Sequence, residues 1–366
     1  MRSFDNKEAK MNFFDQVEKG YTFDDVCLVP EYSNLNSRNE VDISSTLFDI
    51  KYSLPIISAN MSSITEEVMI NKICEFGGTG ALHRYLSPED VFKKFSHVHH
   101  KQFAGISVGV RDEYFQGLIK AFDNFKENSP GYIIIDIAHG HHKLCIDMIK
   151  KIKDTTNLGI IAGNICTPEA AYALSDAGAD VVKVGVSPGA QCETRKTTGI
   201  GYPQLSAIKN IAEAVKGTNI KIIADGGCRY TGDIVKALAA GAHFVMLGNM
   251  LAGTKETPGK VISLGTNNDK FKIYEGMAST NAQINFSGGE AEDIAAEGTS
   301  SLVSYKGSVD KVLKNISKSI KHGLSYVGCR NLEELHRYGN RKDSWVIQTI
   351  SGYIEGTSHG NKNRAY

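Results

Sequence analysis

The cysteine at position 192 lies at the centre of a long loop rich in glycine, KVGVSPGAQCETRKTTGIGYPQ (183–204). A reactive thiolate needs a partly exposed position near N–H donors or positive charge, and Arg195 and Lys196 follow closely in the sequence. The other six cysteines mostly lie within strand or helix patterns, where burial favours an inert thiol. Cys192 is therefore the candidate nucleophile, although a loop cysteine alone is more often ordinary than catalytic.

Two further segments, ADGGCR (224–229) and LGNM (247–250), end apolar runs with glycine. Glycines at strand ends let backbone N–H groups approach phosphate oxygens closely. Asp225 precedes the glycine pair and can accept hydrogen bonds from a sugar diol. The pattern predicts a phosphorylated ligand without naming a reaction. The alternative is that these glycines only turn the chain.

Short apolar segments that alternate with amphipathic helical stretches must position these residues. Near-continuous Val and Ile segments indicate strands buried on both faces, hence a parallel sheet. Eight of them with intervening helices predict an α/β fold, a (β/α)8 TIM barrel, whereas a doubly wound sheet is the alternative on pattern alone. The candidate strands are 54–60, 78–83, 103–109, 131–138, 158–164, 180–185, 220–227 and 243–248.

Composition excludes several classes of function. The 366 residues carry 41 basic and 41 acidic side chains, so no overall positive field exists to hold nucleic acid or an anionic membrane. No apolar run approaches the roughly 20 residues that span a bilayer, and the polar start MRSFDNKEAKMNFF lacks a signal-peptide core. Seven dispersed cysteines indicate reduced thiols. We therefore expect a cytoplasmic protein without nucleic-acid or membrane partners.

The chain is expected to divide into three parts. Residues 1–30 form an N-terminal segment that packs on the barrel, 31–335 form the catalytic barrel without an inserted domain, and 336–366 form a tail. Within the barrel, the small, polar and glycine-containing stretch 278–300 is typical of a flap over an active face.

Several motifs in the same order resemble the IMP dehydrogenase and GMP reductase family. The resemblance extends over about residues 20–335. It implies the fold of that family, a (β/α)8 barrel, assembled as a homotetramer. The motifs are YTFDDVCLVP (21–30), GADVVKVGVSPGAQCETRKTTGIGYPQLSAI (178–208), ADGGCRYTGDIVKALAAGAHFVMLGNMLAG (224–253), YEGM (274–277) and AEGTSSLVSYKGSV (296–309).

Three features are similar to the reductase branch. The HRY segment (83–85) leads directly to the next strand, with no room for the regulatory CBS pair of many dehydrogenases. No arginine or tyrosine lies between Met277 and Glu297, where dehydrogenases activate water with an Arg-Tyr pair. The segment SRNEVDI (37–43) is similar to a reductase segment that contacts a neighbouring subunit's cofactor.

This branch implies NADPH-dependent reductive deamination of GMP, a purine nucleoside monophosphate, to IMP and ammonia through a cysteine thioimidate. The alternatives are an NAD-dependent IMP dehydrogenase without the CBS domain, a reductase for a deoxy or modified guanine nucleotide, and a nucleotide-binding barrel without turnover. The resemblance makes Cys192 the nucleophile, and it makes Thr194 with Glu297 the pair that protonates the departing ammonia. The substrate positions that it implies are Asp225, Gly226, Gly227, Gly248, Asn249, Gly276, Met277, Ala278 and Gly298.

The cofactor and cation positions also come from the resemblance. Arg38 and Arg84 bring permanent positive charge, which favours NADPH over NADH through the additional phosphate. Backbone carbonyls of Ser187, Gly189 and Cys192 match a monovalent-cation site, with potassium as the expected ion. The cofactor positions are Ser37, Arg38, Arg84, Asp136, Ile137, Ala138, Val186 and Ser187.

Overall fold

A computed structural model describes residues 17–125, 129–266, 268–287 and 296–356. Within them, eight parallel strands close into a barrel, which confirms the predicted (β/α)8 fold. Each strand pairs with the next, and β8 pairs with β1 to close the ring. The strands are β1 Ile56–Ser58, β2 Thr79–Leu82, β3 Gly105–Val108, β4 Tyr132–Asp136, β5 Gly159–Ile165, β6 Val181–Val184, β7 Lys221–Asp225 and β8 Phe244–Leu247.

The strands are apolar because both of their faces are covered. Ile133 of β4 lies opposite Ile106 of β3 and Ile160 of β5, and all three side chains are buried. This burial explains why the sequence shows continuous Val and Ile segments in place of an alternation.

Helices follow the strands around the outside of the barrel. Ser87 and Thr167 cap α2 and α5, and a proline occupies the first helical position in each, so the local sequence starts these helices. The helices are α1 Glu67–Glu75, α2 Pro88–Ser96, α3 Asp112–Phe125, α4 Lys143–Thr155, α5 Pro168–Asp176, α6 Gln204–Ala214, α7 Thr231–Ala239 and α8 Val309–Tyr326.

Smaller elements decorate the barrel. A three-stranded antiparallel sheet and the helix Thr280–Ser287 follow β8 and supply both ends of the predicted flap, whose residues 288–295 lie outside the described residues. The sheet consists of Ile262–Leu264, Asp269–Glu275 and Ser300–Ser304, and a hairpin joins Ser45–Leu47 to Ile50–Tyr52. The short helical segments are Phe23–Asp25, Arg38–Glu40, Lys101–Phe103, Thr194–Thr198, Leu332–Gly339, Lys342–Ser344 and Ile350–Glu355.

The N-terminal segment and the tail pair with each other. Strand Val26–Leu28 forms an antiparallel ribbon with Trp345–Ile347. The buried ring of Phe23, just before this ribbon, lies beside Gly227 at the end of β7. The described part of the tail thus packs on the N-terminal segment of the same chain. Among the described residues, no helix combines the length and the apolar character that a membrane crossing requires.

Candidate active site

A series of hydrogen bonds links the three predicted catalytic side chains. The Sγ atom of Cys192 lies 3.1 Å from Oγ1 of Thr194, and that hydroxyl donates to Oε2 of Glu297 at 2.8 Å. The backbone N–H of Glu193 donates to the carbonyl of Glu297 at 2.8 Å, and Cys192 forms a bridge with Gly298. The cysteine loop and the C-terminal end of the predicted flap therefore hold thiol, hydroxyl and carboxylate in hydrogen-bonding contact.

A second layer of contacts fixes this series. The Thr299 N–H and hydroxyl donate to the backbone carbonyl and side-chain Oε1 of Gln191, at 3.0 and 2.6 Å. The Thr299 carbonyl accepts from the N–H of Gly276 at 2.9 Å. A Cβ at Gly298 would lie 2.9 Å from the backbone of Ala278, so this close approach requires glycine. The structure thus brings Gly276, Ala278 and Gly298, three of the predicted substrate positions, to the cysteine loop.

The one carboxylate of the Cys192 loop, that of Glu193, is paired with a lysine of the same loop. Oε1 of Glu193 accepts from Nζ of Lys196 at 2.7 Å, which balances its charge. Elsewhere, burial raises the pKa of Cys74 and of Cys145 to about 12. These thiols are unsuited to nucleophilic attack near neutral pH.

The first of the two predicted phosphate turns has a left-handed backbone conformation that glycine adopts readily. Gly226 and Gly227 follow β7 with φ of 91° and 83°, in the left-handed region that disfavours side chains. A Cβ at Gly248 would lie 2.9 Å from the hydroxyl of Tyr274, which brings this buried phenol to the second turn. Burial, with a further contribution from Asp225, raises the pKa of Tyr274 above its usual range. Sequence reasoning missed Tyr274, although it begins the motif YEGM.

Asn249 and Met277 lie close to these turns. The Asn249 carbonyl accepts from Nζ of Lys306 at 3.1 Å. The Met277 carbonyl accepts from the hydroxyl of Tyr85 at 2.8 Å, and its Sδ atom lies 3.3 Å from the N–H of Ser62. Met277 therefore joins the base of the flap to the segments that follow β1 and β2.

A lysine that sequence reasoning missed lies at the centre of the barrel mouth. Nζ of Lys183, on β6, is 2.7 Å from Oδ2 of Asp225 and 3.4 Å from Oδ1 of Asp136. Asp136 in turn pairs with Nε of Arg84 at 3.5 Å. Burial by itself would raise the pKa of Asp136, but Lys183 and Arg84 hold it below its usual range. Asp136 is thus an ionised carboxylate between two cations.

A cavity of about 740 Å³ opens beside Asp136 between α2 and α3. It is lined by Arg84, Asp136, Ile137 and Ala138, four of the predicted cofactor residues. The Arg84 guanidinium lies 4.5 Å from the Tyr85 ring centroid and donates to the hydroxyl of that tyrosine. Arg84 therefore lies beside Asp136, and its Nη1 and Nη2 atoms donate to the hydroxyls of Tyr114 and Tyr85.

The remaining predicted cofactor residues do not line this cavity. Ser37 caps the turn Arg38–Glu40, and Nη1 of Arg38 lies 3.2 Å from Nε2 of His322 on α8. Val186 is buried in the cysteine loop, and Ser187 follows it. Four of the eight predicted cofactor residues therefore come together at the cavity, and the other four lie elsewhere in the chain.

The predicted cation carbonyls lie in the same loop. Ser187 has a φ of 68°, and the Gly189 carbonyl accepts the Cys192 N–H at 3.0 Å. Nε of Arg195 donates to the hydroxyl of Ser187 at 2.9 Å, which ties the loop to the following helix. No cluster of three His, Cys, Asp or Glu side chains suited to a metal occurs in the described part of the chain.

This architecture is that of a (β/α)8-barrel enzyme with its candidate site at the carboxyl ends of the strands. The model of the IMP dehydrogenase / GMP reductase domain matches residues 20–359, and the chain belongs to this family.

Relatives and a solved structure agree with this assignment. GMP reductase of Buchnera aphidicola subsp. Acyrthosiphon pisum is 38% identical over 323 residues, 86% of this chain and 91% of that protein. Human GMP reductase 2 is 37% identical over 332 residues, with the same coverage. A crystal structure of a GMP reductase variant from Trypanosoma brucei in complex with guanosine 5′-monophosphate has a TM-score of 0.86 and 28% identity, and the match covers 96% of this chain and all of that one.

Proposed function

We propose that this protein is an oxidoreductase that converts GMP to IMP and ammonia with a nicotinamide cofactor. The observation that carries the proposal is the hydrogen-bonded series from Cys192 through Thr194 to Glu297. The relatives and the solved structure above, all GMP reductases, support GMP as the substrate. The dehydrogenase alternative gains no support, because the sequence between Met277 and Glu297 contains neither arginine nor tyrosine.

In the first step, the Cys192 thiolate attacks C2 of the guanine ring and a C–S bond forms. The exocyclic amine then leaves with the C–N electron pair and needs a proton. Thr194 can relay that proton because its hydroxyl contacts both the sulfur and the Glu297 carboxylate. Ammonia and a thioimidate on Cys192 are the products of this step, which divides one difficult displacement into two.

In the second step, the C–S bond breaks as C2 of the purine is reduced, and the Cys192 thiolate leaves with its electron pair. When bound, the nicotinamide cofactor supplies the hydride for this reduction. The cavity beside Asp136 suits such a group, because it combines the apolar residues Ile106 and Val108 with the polar pair Asp136 and Arg84. The sequence between Met277 and Glu297 lacks the arginine and tyrosine with which dehydrogenases of the family activate water, which favours reduction over hydrolysis.

The nucleotide is bound by the ends of β7 and β8. Asp225 accepts the ribose hydroxyls, while the backbone N–H groups of Gly226, Gly227 and Gly248 approach the phosphate. Tyr274 closes the second turn beside Gly248. Tyr274 lies beside Gly248, and Gly276 lies beside Gln191 of the cysteine loop, which supports a guanine ring directed toward Cys192.

We further propose NADPH as the cofactor, potassium as the bound cation and a homotetramer as the active assembly. Arg38 is exposed and is not among the residues that line the cavity, so it is suited to reach the 2′-phosphate bound in a neighbouring subunit. The Ser187, Gly189 and Cys192 carbonyls are oxygen ligands of the kind that potassium takes. Turnover in KCl against lithium or N-methylglucamine chloride, and mass by light scattering, test the last two proposals.

The function is tested by absorbance at the nicotinamide band. GMP with NADPH should lose absorbance and release one ammonia and one IMP per cofactor oxidised, whereas IMP with NAD should give no comparable signal. Parallel reactions with dGMP define the ribose preference. Turnover only in the direction from IMP with NAD would refute the proposal.

A further inference from the structure

One ammonium group lies between the two carboxylates of the barrel mouth. The Lys183 side chain is only 3% exposed, although it stands in a strand of valines. Its three N–H donors meet three acceptors: Oδ2 of Asp225 at 2.7 Å, Oδ1 of Asp136 at 3.4 Å, and Oδ1 of Asn164. An ammonium has three donors, so Lys183 is fully engaged inside the barrel.

These contacts connect the two halves of the site. Asp225 also accepts from Nδ2 of Asn164 at 2.9 Å, on the side proposed for the ribose. Asp136 lines the cavity proposed for the cofactor and pairs with Arg84. Among the ion pairs of the described residues, only those of Lys183 reach both carboxylates.

The lysine is charged in spite of its burial. Burial by itself lowers the pKa of Lys183, but the two aspartates hold it above its usual value. Two cations and two carboxylates therefore alternate from Arg84 to Asp225. Removal of one member would leave a neighbouring charge buried without a partner, which is more costly than the loss of an exposed pair.

We propose that Lys183 is a positioning residue that holds Asp225 for the nucleotide ribose and Asp136 for the cofactor in one geometry. This inference rests on the proposed function. Lys183 touches neither Cys192 nor Glu297 in the structure, so it acts on binding and alignment and not on proton transfer.

The neutral variant Lys183→Met retains the apolar stem and removes the charge. We expect KM for both GMP and NADPH to rise, and kcat/KM to fall by about a hundredfold, as for the loss of one partner of a buried charge pair. Alkylation of Cys192 by iodoacetamide should proceed at the wild-type rate, because the thiol keeps its own partners. A variant that fails to fold would instead change the alkylation rate of Cys192 as well as the kinetic constants.

The pH profile provides a readout that packing alone would not change. Without the ammonium, the pKa of Asp136 should rise, so KM for the cofactor in the variant should increase as the pH falls toward 5. Besides Lys183, the charged or titratable groups that face the two carboxylates are Arg84 and Tyr85 near Asp136, and Tyr274 and Cys228 near Asp225. The two tyrosines and the cysteine stay neutral in this pH range, because burial raises their pKa.

Lys183→Arg separates the effect of the charge from that of the side-chain shape. Its kcat/KM should remain within about tenfold of wild type, since a guanidinium retains the charge but has a different donor geometry. Lys209→Met is the matched control: this half-buried lysine donates to the Gly339 carbonyl at 3.0 Å, outside the mouth, and its variant should keep wild-type constants. If Lys183→Met does not fold, Lys183→Gln and Lys183→Arg provide the same comparison of a neutral with a charged side chain at this position.

Unchanged KM values and pH profile in the neutral variant, or an arginine variant as impaired as the neutral one, would overturn the role of Lys183. An inactive wild type would instead refute the proposed function. In that case, equilibrium binding of GMP and NADPH to the same variants decides whether Lys183 positions the two sites.

Discussion

Replacement of Glu297 by glutamine tests the proton path most directly. The Thr194 hydroxyl donates to Oε2 of Glu297 at 2.8 Å, and glutamine retains the size and an acceptor oxygen at this point. It cannot, however, carry a proton to the departing ammonia. Removal of a general acid costs about 10²–10⁴ in rate, or roughly 3–5 kcal/mol of activation free energy.

The assay is rapid-mix single turnover with GMP labelled at the exocyclic nitrogen. Ammonia release should slow by about a hundredfold or more in Glu297→Gln, whereas GMP affinity should stay near wild type. Glu193→Gln is the matched control. Its carboxylate, in the same loop, pairs with Lys196 at 2.7 Å, and loss of this exposed pair should change the rate by less than about twofold.

Two results would refute this reasoning. Wild-type ammonia release in Glu297→Gln from pH 6 to 9 would exclude the carboxylate from the mechanism. An equal loss in Glu193→Gln would show that the rate responds to loop charge and not to the series through Thr194.

Three other predictions concern the nucleophile, the cofactor and acid stability. Cys192→Ala should bind GMP normally in equilibrium dialysis yet retain no measurable turnover; more than a few per cent would contradict covalent catalysis. Arg84→Ala should lower kcat/KM for NADPH and NADH alike, because its guanidinium pairs with Asp136. Arg38→Ala should lower kcat/KM for NADPH alone. The opposite result for the two variants would exchange the roles of the two arginines. Burial, together with His336, lowers the pKa of His243 to about 3. The unfolded chain protonates near 6.5, so the free energy of unfolding should fall by about 2 kcal/mol from pH 7 to 5. Denaturant titrations of His243→Gln should lack this fall.

The barrel could be predicted from sequence because its strands are short runs of apolar residues with glycine at their ends. YIIID, which forms the whole of β4, is a clear case, since every residue of the strand before Asp136 is buried. The ribbon of Val26–Leu28 with Trp345–Ile347 could not be predicted in this way. Each strand has only three residues, and the pairing depends on a contact between distant segments.

The candidate site was predictable only in part for a related reason. The cysteine loop drew attention by its composition, but Thr194 and Glu297 are 103 positions apart and no periodicity connects them. Their pairing came from family resemblance. The sequence does carry a signal for Lys183, because a lysine among valines must meet carboxylates if it is buried. Its partners, on β4 and β7, come close to it only when strands β4 to β7 have paired side by side.

The ribbon between the chain's two terminal segments has a consequence for biosynthesis. Phe23, at its edge, supports Gly227 in the proposed phosphate turn, and the ribbon cannot form until Trp345–Ile347 has left the ribosome. A nascent chain with all eight barrel strands complete would still lack the final support of its phosphate turn. We therefore expect full substrate affinity to arise late, after nearly all of the described chain has been made.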